Sequence, residues 1–213
     1  MVTERAFVDD FSKEEVSSTC GYPSAYTGAR PVGEQLAILK AVFPQLESHD
    51  AAATPSDTLS GSEGVFVIPD WRTIASTYGE AVKLLFAALE RACEGHFVNG
   101  EYELGSDFLR ESAKKIEFFE KLGQKQGGRV IRPVRAQFGI RHRGRSVQRA
   151  RFVMGDLECG LGVFEIGIML LTHPDRFVDA DDLWIDCSGD ECNFGPDGSC
   201  YFAPCFFFRN KQL

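Results

Sequence analysis

The chain has 213 residues, 44% of them hydrophobic, and a formal net charge of −8. A chain of this length and composition is expected to form one globular domain, with a core large enough to fold without disulfides or a metal. The acidic balance argues against a general nucleic-acid coat protein, because the molecule as a whole repels phosphate, but it leaves room for a local anion site.

The cysteine count and the N-terminal sequence indicate a reducing compartment. The seven cysteines are odd in number, and the first fifteen residues are polar and acidic, unlike a secretory signal. We therefore expect a cytoplasmic protein with free thiols or a bound metal. The longest apolar run, residues 160–171, is too short for a membrane span and contains Glu165, so no membrane association is expected.

The N-terminal residues differ in composition from the rest of the chain. Residues 1–30 are polar and contain a Gly-Tyr-Pro turn signal. This composition predicts a flexible N-terminal arm, followed by a single α+β domain over residues 31–213. The alternative is a strap that lies across the domain and is held there by Tyr22, Tyr26 and Pro31.

A first helix is predicted over residues 31–43, because Pro31 suits a first helical turn and Pro44 stops the helix. Residues 44–64 are rich in Ala, Ser, Thr and Gly and are predicted to form a loop. The short apolar run at residues 65–68 is either a strand or a packed approach to the next helix.

Two longer helices are predicted next. The second helix lies between Asp70, a good N-cap, and Gly95, a good C-terminal stop. Apolar residues recur between them at helical spacing, namely Ile74, Tyr78, Ala81, Leu85, Leu89 and Ala92. A third helix is predicted to start after Ser106 and to end at Gly123, and these two helices are expected to pack antiparallel.

After two consecutive glycines the pattern changes from helical to alternating. One parity is apolar and the other is rich in arginine, which predicts a half-buried strand over residues 129–143 with an arginine face. The apolar parity consists of Val130, Val134, Ala136, Phe138 and Ile140. The segment that follows is open to two interpretations. As a strand it completes a basic hairpin with Arg145, Arg149 and Arg151 on one face. As a helix capped by Ser146 it turns Val147, Ala150 and Met154 towards the core. We favour the helix, because Gln, Arg, Ala and Met are good helix formers.

The last third of the chain adds a helix and short strands. Residues 159–172 are almost continuously apolar and predict a buried helix that Pro174 ends. Short strands are predicted at residues 183–185 and 201–208. The predicted fold class is therefore α+β: a helical N-terminal half with three helices, packed with a small, mainly antiparallel sheet and one buried helix in the C-terminal half.

Residues 129–151, which we call the arginine segment, hold eight arginines and no acid. They carry a charge of +8, whereas the chain on either side carries −8. Guanidinium groups match phosphate and carboxylate oxygens in bidentate pairs, so the segment predicts an anion-binding site. The candidate residues are Arg135, Arg141, His142, Arg143, Arg145, Arg149 and Arg151. The alternative is that the flanking acids neutralise these arginines in surface ion pairs.

Nucleic acid is the first anionic partner to consider, because a basic ribbon or a short basic helix can lie against a duplex. A platform for single strands is less favoured, since only His142 and Phe138 offer stacking groups nearby. A second copy of this chain is another candidate partner, because its acidic flanks complement the arginine segment. Under this alternative, the protein is a homo-oligomer or a protein-interaction module.

The Gly160-Leu161-Gly162 turn precedes the predicted buried helix, so its backbone N–H groups are placed to hold a phosphate. The dinucleotide-binding fingerprint requires a third glycine at the position where this chain has Glu165. Glu165 and Glu158 also oppose an anion at this turn. We therefore favour close packing of the helix as the role of these glycines.

The four C-terminal cysteines have the spacing C-x4-C-x7-C-x4-C. Four thiolates so close in sequence are a candidate tetrahedral zinc site, formed by Cys187, Cys192, Cys200 and Cys205. The gaps are longer than the two-residue gaps of zinc knuckles, and the neighbouring residues are aromatic. Buried cysteines that act as small hydrophobic residues are therefore favoured over zinc.

An acidic cluster near the C-terminus suggests an enzyme as a further alternative. Asp186, Asp190 and Glu191 follow a predicted strand, and paired carboxylates can hold Mg²⁺ for phosphoryl chemistry. Beside the arginine segment they would form a metal-dependent nuclease or phosphodiesterase. A solvated acidic loop is the simpler interpretation. The sequence contains neither a Gly-x-Ser-x-Gly nor a His-Glu-x-x-His motif, so no catalytic residue is assigned.

Overall fold

The computed structural model describes residues 18–23, 25–57, 59–93, 97, 108–176, 178, 183–193 and 202–207. Residues 1–17, Gly95, Ser106, Cys200 and most of the acidic loop before residue 183 lie outside this part. The described chain has an α+β fold, which confirms the predicted fold class. The three helices predicted for the N-terminal half are present, and a short additional helix accompanies the buried helix of the C-terminal half.

Helix α1 spans Val32–Val42, close to its predicted bounds, and the chain then turns through a short 3-10 helix at Pro44–Leu46. Strand β1, Gly64–Pro69, shows that the apolar run after the loop is a strand. Gln35 of α1 is fully buried, and its amide group forms hydrogen bonds with two backbone groups of β1. These bonds fix the first helix against the strand.

Helix α2 spans Tyr78–Ala92, so the predicted start at Asp70 is wrong. Asp70 instead caps a short 3-10 helix, Trp71–Thr73, by accepting a hydrogen bond from a backbone amide of that turn. The start of α2 is set by a capping box. The Thr77 side chain accepts from the Glu80 amide, and the Glu80 carboxylate accepts from the Thr77 amide.

Helix α3 spans Ala113–Lys125 and is preceded by strand β2, Leu109–Glu111. The prediction of a helix that begins directly after Ser106 is therefore wrong for residues 109–111. Strand β2 forms because it pairs antiparallel with a C-terminal strand, Asp190–Cys192. Because its partner strand is so distant in sequence, the local pattern of apolar residues does not predict β2.

Strand β3, Ile131–Ala136, pairs antiparallel with β1. The prediction that this strand continues to Arg143 is wrong, because Gly139 adopts a φ of 105° and turns the chain into a short 3-10 helix at Ile140–His142. Arg141 and Arg143 therefore extend from a turn and not from a strand face.

Helix α4, Val147–Val153, shows that the second half of the arginine segment is helical, as favoured from its composition. Ser146 caps the helix, since its side chain accepts from the Arg149 amide, and Ala150 is buried. The arginine segment is thus a strand, a turn and a helix in succession.

Helix α5, Val163–Thr172, lies at the centre of the fold. All ten of its residues are buried, and it packs against α1, α2 and β1. The prediction of a buried helix ending before Pro174 is confirmed, although the helix begins at residue 163 and not at residue 159. Burial on every side explains its continuous apolar sequence. Of the helices in the described chain, none is long and apolar enough to cross a membrane.

Three short strands complete the fold. Strand β4, Ile185–Asp186, pairs antiparallel with β6, Cys205–Phe206, and β5, Asp190–Cys192, pairs with β2. The described strands therefore form three separate two-stranded antiparallel sheets, β1–β3, β2–β5 and β4–β6, in place of the one small sheet expected.

The described residues before α1 lie against the domain. The hydroxyl groups of Tyr22 and Tyr26 both donate to the Glu63 carboxylate, and Arg30 forms an ion pair with Asp175 at 2.8 Å. These contacts agree with the alternative in which the N-terminal segment lies across the domain as a strap. The boundary at residue 30 between arm and domain stays a prediction.

Candidate functional site

A cleft of about 780 Å³ lies beside the arginine segment. Four stretches of chain contribute most of its lining: residues 59–62, 134–147, 153–161 and 183–188. We call it the arginine cleft. Its volume is that of a ligand-binding pocket, for which about 300–1,000 Å³ is typical.

Five of the seven candidate anion-binding residues line the arginine cleft, namely Arg135, Arg141, His142, Arg143 and Arg145. The other two do not. The Arg149 guanidinium lies 5.5 Å from the centre of the Phe152 ring. Arg151 donates to the backbone carbonyls of Ser188 and Asp190, at 2.8 and 2.7 Å. The structure thus gathers part of the predicted group into one cleft, and anion binding itself stays a prediction.

The arginine segment is only partly neutralised by acids. Arg132 pairs with Asp70 at 2.7 Å, and Arg129 lies 3.9 Å from Asp50. Within the cleft, Arg141 pairs with Glu158 at 2.8 Å. The interpretation that flanking acids neutralise the segment therefore holds for these three arginines.

The remaining arginines of the cleft bond to backbone carbonyls. Arg135 donates to the Pro55 carbonyl at 3.1 Å, Arg143 to that of Cys20 at 3.0 Å, and Arg145 to that of Arg141 at 3.0 Å. Within the described residues, none of these three guanidinium groups has a carboxylate partner. The Nε of Arg135 is buried and has no hydrogen-bond partner there. Carbonyls orient these cations without neutralising them.

His142 and Asp186 are titratable groups of the cleft whose pKa values are shifted. Burial lowers the pKa of His142 below its ordinary 6.5, opposed by Glu158 and reinforced by the neighbouring arginines, so the imidazole is neutral at pH 7. Partial burial raises the pKa of Asp186 above its ordinary 3.8. Cys159 also lines the cleft, and burial raises its pKa to about 12. A thiol of that pKa is not a nucleophile at neutral pH.

Trp184 is a cleft residue that the sequence reasoning missed. It lines the cleft with 57% of its surface exposed, and its ring stacks on Phe207 with centroids 4.8 Å apart and planes tilted by 30°. Phe138, which the sequence offered as a stacking group, is fully buried. Trp184 lies just before β4, between the buried Leu183 and Ile185, and three consecutive apolar residues do not show which of them will be exposed.

A second concentration of charge, the lysine cluster, is buried in the core. It consists of Lys115, Tyr78, Glu111, Glu165 and Asp190. The Lys115 ammonium lies 2.8 Å from Asp190, 2.9 Å from Glu165 and 3.2 Å from Glu111, and it donates to the Tyr78 hydroxyl at 3.1 Å. Burial alone lowers the pKa of Lys115, but the adjacent carboxylates outweigh it and raise the pKa well above its ordinary value.

The lysine cluster also supplies the anions at the N-terminus of α5. Asp190 accepts from the Val163 amide at 2.7 Å, and Glu165 accepts from the Gly162 amide at 2.9 Å. A Cβ atom on Gly160 or Gly162 would overlap the residues packed against these glycines. The geometry agrees with close packing as the role of the glycine turn, because the positions that a phosphate would need are filled by the protein's own carboxylates.

In the part of the chain that the structure describes, the candidate metal ligands do not form a metal-binding group of three. Cys187 and Cys192 are buried and Cys205 is exposed, and the described cysteines are free thiols. No group of three or more His, Cys, Asp or Glu residues in the described chain is arranged to hold a metal ion. Because Cys200 lies outside it, the four-cysteine zinc site stays an untested prediction.

The three acids of the nuclease alternative occupy different surroundings. Asp190 belongs to the lysine cluster, Glu191 pairs with Arg110 at 2.9 Å, and Asp186 lines the arginine cleft. This arrangement offers no support for a shared magnesium site.

No family model, curated protein or solved structure matches this chain.

Proposed function

We propose that this protein is a binding module for an anionic partner, with nucleic acid as the leading class, and that the anion is held in the arginine cleft. One observation carries the proposal: Arg135, Arg143 and Arg145 face a single cleft and, within the described residues, have no carboxylate partner. Guanidinium groups bind phosphate oxygens in bidentate, charge-assisted pairs. A reducing, cytoplasmic setting belongs to the same proposal, because the described cysteines are free thiols.

The surroundings of these arginines strengthen the argument. The cleft walls include many apolar side chains, such as Val134, Met154 and Ile185. Charges interact more strongly beside such walls than in open water, because the local dielectric constant is lower. Several guanidinium groups that line one cleft attract an anion together, because their individual attractions add.

The test is a binding assay with labelled oligonucleotides at a series of salt concentrations. Arg143 and Arg145 are replaced together by Gln, and the matched control replaces Arg129 and Lys121, which are exposed and lie outside the cleft. If Arg143 and Arg145 each contact one phosphate, the slope of log K against log salt should become shallower by about 1.4 for a single strand. The control removes the same charge and should leave most of the slope.

The unfolding free energy of both double variants is measured alongside, so that a loss of binding is not a loss of fold. The proposal is contradicted if the protein binds no oligonucleotide at low salt. It is equally contradicted if the cleft variant and the control lose the same amount of affinity, since net charge and not the cleft then governs binding.

A further inference from the structure

We infer that the arginine cleft takes a nucleotide unit, meaning a planar base with its phosphate, either free or within a single strand, and does not take a duplex. The inference rests on the proposed function, because it needs the cleft arginines to hold phosphate. It adds the class of ligand: the base enters the cleft and stacks on Trp184, while Arg143 and Arg145 hold the phosphate.

Trp184 is the first observation that points to a base. Trp184 is one of the residues that line the cleft, 57% of its surface is exposed, and its ring packs against that of Phe207. A tryptophan held in this way by a neighbouring ring is oriented in advance, so little conformational freedom is lost when a base stacks on it. A purely anionic ligand makes no use of such a surface.

The shape of the site is the second observation. A duplex is read by a protein element that enters one of its grooves. Here the turn that carries Arg141, Arg143 and Arg145 borders a hollow of about 780 Å³ and does not project from the surface as a groove-reading element does. A single nucleotide unit fits a hollow of this size.

The mixed charge of the cleft is the third observation. Asp156, Glu158 and Asp186 line the same cleft as the arginines. Carboxylates repel phosphate but accept hydrogen bonds from the amino and imino groups of bases. Glu158 is engaged by Arg141, which leaves Asp156 and Asp186 as the acceptors for a base edge. A ligand with an anionic end and an N–H donor end matches both kinds of group.

The experiment compares four probes over the same series of salt concentrations: a single-stranded oligonucleotide, its duplex, a nucleoside monophosphate and inorganic polyphosphate. We expect the single strand to bind more tightly than the duplex or polyphosphate and to quench tryptophan fluorescence. The chain has two tryptophans, so the quenching must disappear in Trp184→Leu. This variant should weaken binding of the single strand about 5- to 100-fold, the usual effect of one stacked base, and leave the salt slope unchanged. Phe152→Leu is the matched control, because Phe152 is similarly exposed but lies outside the cleft lining.

Two outcomes overturn the inference while the proposed function stands. In one, the duplex or polyphosphate binds as tightly as the single strand. In the other, Trp184→Leu binds normally or changes the oligomeric state, which assigns Trp184 to a protein interface. If no probe binds at low salt, the proposed function itself fails. Tight binding and quenching by the monophosphate support the inference and identify the ligand as a free nucleotide, whereas binding that requires the oligonucleotide supports it and identifies a strand.

Discussion

The two concentrations of charge in this molecule are built in opposite ways. In the lysine cluster, one ammonium group is enclosed by three carboxylates and a tyrosine hydroxyl, all from the chain itself. In the arginine cleft, Arg135, Arg143 and Arg145 are oriented by backbone carbonyls and, among the described residues, meet no carboxylate. The difference separates two uses of charge. A cation that the chain neutralises internally holds the fold together, and a cation left without a counter-charge in an open cleft is available to a ligand.

The largest expected effect on stability comes from removing the cation of the lysine cluster. Lys115→Met leaves buried carboxylates without their partner, so we expect the unfolding free energy to fall by about 3–5 kcal/mol. Urea denaturation measures this loss. The matched control is Lys121→Met on the same helix, whose partner Glu117 is equally exposed, and it should change stability little. Similar stabilities for the two variants would mean that the cluster does not hold the fold together.

A smaller steric change tests the same cluster without removing a charge. The Cβ of Gly162→Ala would overlap the Asp190 carboxylate and the Lys115 ammonium, so the ion pair must shift. We expect a loss of about 1–3 kcal/mol in unfolding free energy, as for other overpacked sites. Gly155→Ala is the control, because no atom lies within 4 Å of the added Cβ. Equal stability of the two variants would show that the glycine turn is not held tightly against the cluster.

We expect anion binding in the arginine cleft to depend on pH, because His142 lines the cleft. The pKa of His142 is held below 6.5, and that of Asp186 lies above 3.8. When the pH falls through the pKa of His142, the imidazole gains a proton and the cleft becomes more positive. A bound anion raises the pKa of His142. The gain in affinity is therefore fully present at a pH below the pKa that His142 has in the free protein. It is lost as the pH rises above the pKa that His142 has in the anion complex.

A rise of about one unit in that pKa corresponds to about tenfold tighter binding in acid. The probe is an oligonucleotide without terminal phosphates, because phosphodiesters do not titrate in this range. His142→Gln should remove most of the pH dependence and leave the affinity at pH 7 nearly unchanged. The protonation of His142 is followed by NMR in the same samples, and an affinity of the unmodified protein that stays constant while His142 gains its proton would contradict an anion bound beside it.

Features set by contiguous residues were predictable from the sequence. The continuous apolar run of α5 predicts a helix that is buried on all sides, and Ser146 predicts the start of α4. The arginines that share the cleft lie within residues 135–145, so their grouping was also visible. The strand ended earlier than predicted because the φ of Gly139 is a property of the folded turn.

Features set by distant partners were not predictable. Lys115 looks like a surface residue of an amphipathic helix, because the two carboxylates closest to its ammonium lie 50 and 75 residues further along the chain. The other walls of the arginine cleft come from residues 59–62, 153–161 and 183–188, and the first and last of these stretches are distant in sequence from the arginine segment. Asp190, an ordinary acid in a polar stretch, becomes the residue that joins α2, α3 and α5.

The late position of Asp190 has a consequence for how the chain folds as it is made. Lys115 leaves the ribosome 75 residues ahead of its closest carboxylate. At about 5–20 residues per second, the delay is on the order of 4–15 s. Throughout that interval the packing of α2, α3 and α5 lacks the carboxylate that completes it. We therefore expect the nascent helical half to remain loosely packed until synthesis has passed residue 190, so that the domain folds in a single late step and not progressively from its N-terminus.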